Sequence, residues 1–199
     1  SIEIYANVRN ARQMSLGDDG TVYVGTRSRA GGRIFAIPDA NRDGKADEVI
    51  TITSGLKRPS GLTYHNGDLY IGAISRIYKI SNIENSYRNK PDPEVIFSNL
   101  PDKTHHGWKF LEFGPDGLLY IPIGAPCNIC EPEEEFATLN TLDINNPELG
   151  ITKYAMGIRN TVGFDWDPKT DDLWFTDNGG DGLGDEMPAD ELNHAPKSG

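Results

Sequence analysis

The sequence predicts an all-β chain of about four repeated antiparallel units, and three observations carry that prediction. One layout recurs four times: an apolar strand, a polar turn, then a second strand with an aromatic near its centre. Those aromatics, Tyr23, Tyr70, Tyr120 and Trp174, are spaced 47, 50 and 54 residues apart. The turns are built of Gly, Asp and Asn, and no helical stripe runs longer than about two turns. A repeat of roughly 40–50 residues is the length of a four-stranded propeller blade. The predicted architecture is therefore a β-propeller.

The first unit comprises Met14 to Leu16, the turn Gly17-Asp18-Asp19-Gly20, Val22 to Gly25, and Arg33 to Ile37. Val22 and Val24 alternate with Tyr23, the period of a strand packed on both faces. The second comprises Gly61 to Tyr64, the turn His65-Asn66-Gly67-Asp68, Leu69 to Gly72, and Arg76 to Ile80. Asn-Gly there supplies the positive φ that a tight hairpin demands. The third comprises Lys109 to Phe113, the turn Gly114-Pro115-Asp116-Gly117, and Leu119 to Pro122. The fourth comprises Val162 to Trp166, a turn around Pro168 to Asp172, and Leu173 to Thr176. No closing strand is evident after it. Residues 1–199 thus read as one partial propeller domain whose ring is incomplete in this chain.

Composition excludes several function classes. The net charge is −11, whereas nucleic acid calls for a basic surface. The same charge argues against an anionic membrane surface. Its plain meaning is solubility; the sharper one is divalent-cation binding. No stretch approaches the ~18 apolar residues of a membrane span, and no signal peptide opens the chain. The two cysteines, Cys127 and Cys130, are too few for a four-thiolate zinc site. Their C-x-x-C lies in a post-strand loop without βαβ context, which favours a loop-stapling disulfide over a redox motif. A disulfide fits an oxidising compartment, so a periplasmic or secreted location is expected.

Four segments carry candidate chemistry. His105-His106-Gly107-Trp108 stands immediately before the first strand of the third unit, where a blade begins at the channel mouth. A histidine there can serve as general base or metal ligand; the alternative is a pair of surface loop histidines. Gly157-Ile158-Arg159-Asn160 takes the same place before the fourth unit. Its arginine can grip a carboxylate, or form an ordinary surface ion pair. Six carboxylates fall between Asp177 and Glu191, on a Gly-rich backbone that suits Ca²⁺ or else an acidic mobile loop. Asp39, Asn41, Asp43 and Asp47, with Gly44 at position six, match the opening of a calcium loop. Position twelve is Ile50 instead of the bidentate Glu, so the pattern reads as a structural calcium loop or an Asx-rich turn.

Taken together, the blocks from His105 to Gly117, Gly157 to Trp166, Leu173 to Gly180 and Asp190 to Asn193 resemble the glucose/sorbosone dehydrogenase family, in its sorbosone dehydrogenase-like branch. The resemblance implies a six-bladed propeller that binds pyrroloquinoline quinone (PQQ) and Ca²⁺. It implies oxidation of an aldose or sugar-derived aldehyde, with electrons passed on to an external acceptor. His106 would be the base that takes the substrate hydroxyl proton while hydride passes to the quinone. Arg159 and Asn160 would contact the quinone, with His105 beside them. The main-chain oxygens of Gly179 and Gly180 would hold its Ca²⁺, with Asp190 and Glu191 as weaker metal candidates. Pro59-Ser60-Gly61 stands where glucose-oxidising members carry Gln-Asn-Gly, which points away from glucose. Further quinone-gripping residues come from the family's last blades, so this chain alone is expected to be inactive. Two other classes remain open at this point: a non-catalytic propeller binding module, and a calcium-dependent lactonase-like hydrolase.

Overall fold

Four antiparallel sheets carry the chain, each a meander of strands taken in sequence order. The structure is a computed structural model and describes residues 2–28, 31–185 and 187–196. It is an all-β fold of four propeller blades, divided into two compact units, 1–98 and 99–199.

In the first unit, β1 (Ala11–Leu16), β2 (Val22–Thr26), β3 (Gly32–Ile37) and β4 (Ile50–Leu56) form one blade. A second is formed by β5 (Gly61–His65), β6 (Asp68–Gly72), β7 (Ile77–Ile80) and β8 (Glu94–Phe97). Asn66 and Gly67 take φ of 51° and 85°, as a two-residue hairpin between β5 and β6 requires. Sheet packs on sheet through Tyr23, Ile34, Ile52, Leu62, Leu69 and Ile71, all essentially buried. Polar side chains tie the two inner strands together. Gln13 Oε1 accepts from the Leu62 amide at 3.1 Å, and Ser15 Oγ from the Tyr64 amide at 2.8 Å. The only α-helix among the described residues is one turn, α1 (Ile83–Ser86).

In the second unit, β9 (Glu112–Phe113), β10 (Leu119–Ile123), β11 (Thr138–Leu142) and β12 (Ile151–Met156) form the third blade. The fourth has three described strands, β13 (Phe164–Trp166), β14 (Leu173–Asp177) and β15 (Glu191–Ala195). Tyr120 meets Trp166 edge-on at 4.9 Å, and Phe110 meets Phe164 in the same way at 4.9 Å. Such pairs contribute about 0.5–1.5 kcal/mol each beyond their buried area.

Three local features differ from the sequence reading. The inner strand of the third blade is two residues long, not five; ahead of it Lys109 is buried and its ammonium donates to the Gly107 carbonyl at 2.9 Å. Strand β11 is polar yet buried throughout, so hydrophobic alternation does not reveal it; Asn140 is satisfied there by the Ile121 carbonyl and Thr138 Oγ. The Asp190-to-Asn193 block, read as a metal-side loop, runs from a loop into β15, where Glu191 pairs opposite Asp177.

Candidate active site

Every residue of the candidate site lies in the second unit, in the segments that lead into and out of its strands. His106 sits in a turn that closes with the Gly107 amide on the Thr104 carbonyl. Its φ of 47° is left-handed, a conformation that histidine tolerates better than most residues. The side chain packs on the chain just after β10. An ideal Cβ on Gly124 would lie 2.6 Å from the His106 Cβ and 2.9 Å from its carbonyl oxygen. Only glycine fits. Gly124→Ala is therefore expected to cost about 1–3 kcal/mol by overpacking and to displace the His106 ring. Urea unfolding and the His106 ring-proton chemical shifts check both; an unchanged ring signal would contradict the packing argument.

His106 Nδ1 lies 2.9 Å from the Ala125 carbonyl oxygen. A carbonyl only accepts, so Nδ1 carries the proton and the neutral ring presents its lone pair at Nε2. The ring is 7% exposed, against Trp108 at one edge and the exposed His105, whose ring centroid is 4.1 Å away. Burial pulls the His106 pKa below its ordinary 6.5, and the neighbouring His105 and Arg159 pull the same way. The Ala125 hydrogen bond and Asp181 oppose them. The result is a neutral imidazole at neutral pH.

Arg159 and Asn160 are held by a residue that the sequence reading placed only among the carboxylates of a Ca²⁺-suited or acidic loop. Asp177, at the end of β14 and 9% exposed, accepts the Arg159 amide on Oδ2 at 2.9 Å and the Asn160 amide on Oδ1 at 2.6 Å. The Asn160 carbonyl accepts the Asn178 amide in return, and the Arg159 carbonyl accepts the Ala125 amide at 2.8 Å. One signal in the sequence was there to be read: an aspartate ending a strand and followed by Asn-Gly-Gly. What it bonds is visible only in the fold.

A cavity of about 360 Å³ opens beside this frame. Its walls include Ala125, Ile129, Arg159, Gly180, Leu183 and Pro188. Such a volume is within the range of small-ligand sites, ~300–1,000 Å³. Arg159 and Gly180 thus share one cavity, whereas Gly179 is not among the residues that line it. His106 stands behind Ala125 instead of on the wall. Gly179 is backed by Pro188, whose carbonyl oxygen leaves no room for a side chain, and its amide donates to Asp190 Oδ1 at 2.8 Å. Asn160 is buried, whereas Glu191 is exposed and bonds only locally, accepting from Asn193 at 3.4 Å. Thr161, next to Asn160, is 4% exposed with its hydroxyl unpaired.

The loop after β3 folds on its own carboxylates. Asp39 accepts the Asp43 and Gly44 amides, Asp43 the Lys45 amide, and Asp47 the Ala40 amide. The Asn41 side chain bonds Asp43 at 3.1 Å. Among the described residues, no three acidic, histidine or cysteine side chains converge as a metal cage. Cys127 and Cys130 are joined as a disulfide. No helix among the described residues is long and apolar enough to cross a membrane.

Fold and site together describe blades of a β-propeller with a cavity of about 360 Å³ beside its strand ends. The chain is similar in fold to a Trichoderma reesei protein of Carbohydrate-Active Enzymes family AA12, with TM-score 0.77 and 17% identity over 97% of this chain and 55% of that one. It is similar to the holo form of the pyranose dehydrogenase PQQ domain from Coprinopsis cinerea, with TM-score 0.74 and 14% identity over 95% and 51%. The PQQ-bound aldose sugar dehydrogenase of Streptomyces coelicolor gives TM-score 0.65 and 20% identity over 97% and 61%. A Borreliella burgdorferi relative, described as an uncharacterized protein, is 29% identical over 205 residues, which is 96% of this chain and 51% of the relative. The chain thus spans about half the length of the relative and of the first two structures. No family model matches it.

Proposed function

We propose that the chain belongs to a PQQ-dependent oxidoreductase that oxidises an aldose or a sugar-derived aldehyde. The observation that carries this reading is the link from His106 through Ala125 to Arg159. A neutral, pinned imidazole stands one residue behind a cavity whose wall holds an arginine. Two of the similar folds are of PQQ-holding proteins, which supports the choice of cofactor.

The residues present suit such a group. Ile129, Leu183 and Pro188 offer apolar faces to a planar ring system, and Arg159 offsets carboxylate charge. The unpaired Thr161 hydroxyl, buried beside Asn160, leaves a donor unspent. Arg159 and Asn160 would hold the quinone, with His105 at the exposed edge, and the Gly179 and Gly180 carbonyls would face its Ca²⁺ with Asp190 and Glu191 close by. When bound, the quinone supplies the hydride acceptor. His106 supplies the proton acceptor: Nδ1 stays bonded to Ala125, so Nε2 takes the proton of the substrate hydroxyl. The disulfide suits a periplasmic or secreted protein. Electrons leave to an external acceptor.

Reconstitution tests the reading. PQQ with Ca²⁺ should quench the chain's tryptophan fluorescence saturably, and the protein that contains it should reduce a dye with aldoses or aldehydes. Absence of PQQ binding together with lactone hydrolysis would overturn it. The Asp39–Asp47 loop is a second calcium proposal, in which Asn and main-chain oxygens complete the shell. Adding Ca²⁺ after chelation should raise the melting temperature, since a ligand of the native state stabilises it. An unchanged melt in a variant with Asp39→Ala and Asp43→Ala, beside a shifted wild type, would assign the effect to this loop.

A further inference from the structure

Arg159 does not reach into the cavity as a free side chain. Its Nε donates to the Asn128 carbonyl at 2.9 Å, one terminal nitrogen donates to Asn128 Oδ1 at 2.7 Å, and the other to the Asn178 carbonyl at 2.8 Å. Asn128 also grips the loop beyond β14. Its Oδ1 accepts the Asp181 amide at 2.8 Å, and its Nδ2 donates to the Asp181 carbonyl at 2.8 Å. Asp181 completes the set, with its carboxylate 3.5 Å from the same arginine. Asn128 itself lies inside the four-residue ring closed by Cys127 and Cys130.

A guanidinium has five N–H donors. Three are taken by protein oxygens; of the two left, the one on the nitrogen that bonds Asn128 Oδ1 has the Asp181 carboxylate 3.5 Å from that nitrogen. An unheld arginine would have to lose its rotamer freedom on binding; here that ordering is complete beforehand. The contacts to Asn128 therefore do more than fill space. They decide where the remaining two donors point.

We propose that Asn128 is a positioning residue: the disulfide-closed loop presents it so that Arg159 and the Asn178–Asp181 segment are set as one anion-binding wall. The inference rests on the proposed function only in taking the quinone's carboxylates as the anion. Its geometry stands without that reading.

The test uses the full chain and two readouts. Nitrogen-15 spectra follow the Arg159 guanidinium Nη–H signals, assigned with Arg159→Lys, and fluorescence titration follows PQQ. In the wild type the Nη–H that donates to Asn128 Oδ1 should exchange slowly with solvent. Asn128→Ala should speed that exchange at least about tenfold and weaken PQQ binding about tenfold, as for losing hydrogen bonds to a charged group. Asn128→Asp keeps both acceptor positions for Arg159, so it should restore slow exchange while its added negative charge leaves PQQ binding weak. Where Asn128→Ala fails to fold, the Cys127→Ser/Cys130→Ser chain carries the same readouts, and Arg159 should again be released. An Nη–H signal as protected in these variants as in the wild type overturns the proposal, whatever PQQ does. If Arg159 is released but no chain binds PQQ, the positioning role stands and the quinone reading falls.

Discussion

Replacing His106 with Ala in the active protein should lower kcat by about 10²–10⁴-fold, the usual contribution of a general base, and leave PQQ affinity nearly unchanged. The Ala125 carbonyl fixes the proton on Nδ1, so the basic lone pair has one place to be. Burial, His105 and Arg159 lower the His106 pKa, so the base stays deprotonated through neutrality. The acid limb of kcat should lie below the ordinary 6.5 of histidine, and rate should fall as pH drops through it. Steady-state rates across the acid range check this. A ring only 7% exposed also packs, against Gly124 and Trp108. If His106→Ala lowers the melting temperature but costs less than about tenfold in kcat, the residue is a packing element and not the base.

Lys109 should impose a slope of stability against pH. It is 2% exposed, and burial pushes its pKa down from 10.5 to about 8. The folded pKa lies below the unfolded one, so between them the folded chain binds fewer protons. Stability then rises with pH across that window and is lost as pH falls back through about 8. Lys109→Met removes the titrating group at similar length. The wild-type minus variant difference in unfolding free energy should grow by roughly 2–3 kcal/mol between about pH 7.5 and 10, at 1.36 kcal/mol per unit. Tyrosines such as Tyr120 titrate in both proteins and cancel. Urea unfolding at several pH values measures the difference; a flat line would show that the ammonium is not confined as the structure has it. Because Lys109 donates to the Gly107 carbonyl, the same variant should also loosen the turn that carries His106.

Much of the fold is legible along the chain. Turns such as Asn66-Gly67, with strands centred on Tyr23, Tyr70, Tyr120 and Trp174, mark one hairpin per blade, because turn conformation and side-chain alternation are decided by neighbours in sequence. Strands β4, β8, β11, β12 and β15 escaped that reading. Some are amphipathic only weakly, and β11 buries Thr138 and Asn140, whose polarity is satisfied by partners distant in sequence.

The sequence by itself determined the repeat, the blade, and the residues with chemistry to offer: His106, Arg159 and the glycines after β14. Tertiary structure alone decided what each faces. It put His106 behind Ala125, turned Arg159 onto Asn128, and made Asp177 the anchor of two successive amides. These are hydrogen bonds between segments 17 to 31 residues apart. Their short range means that only the packed sheets can bring the partners within reach.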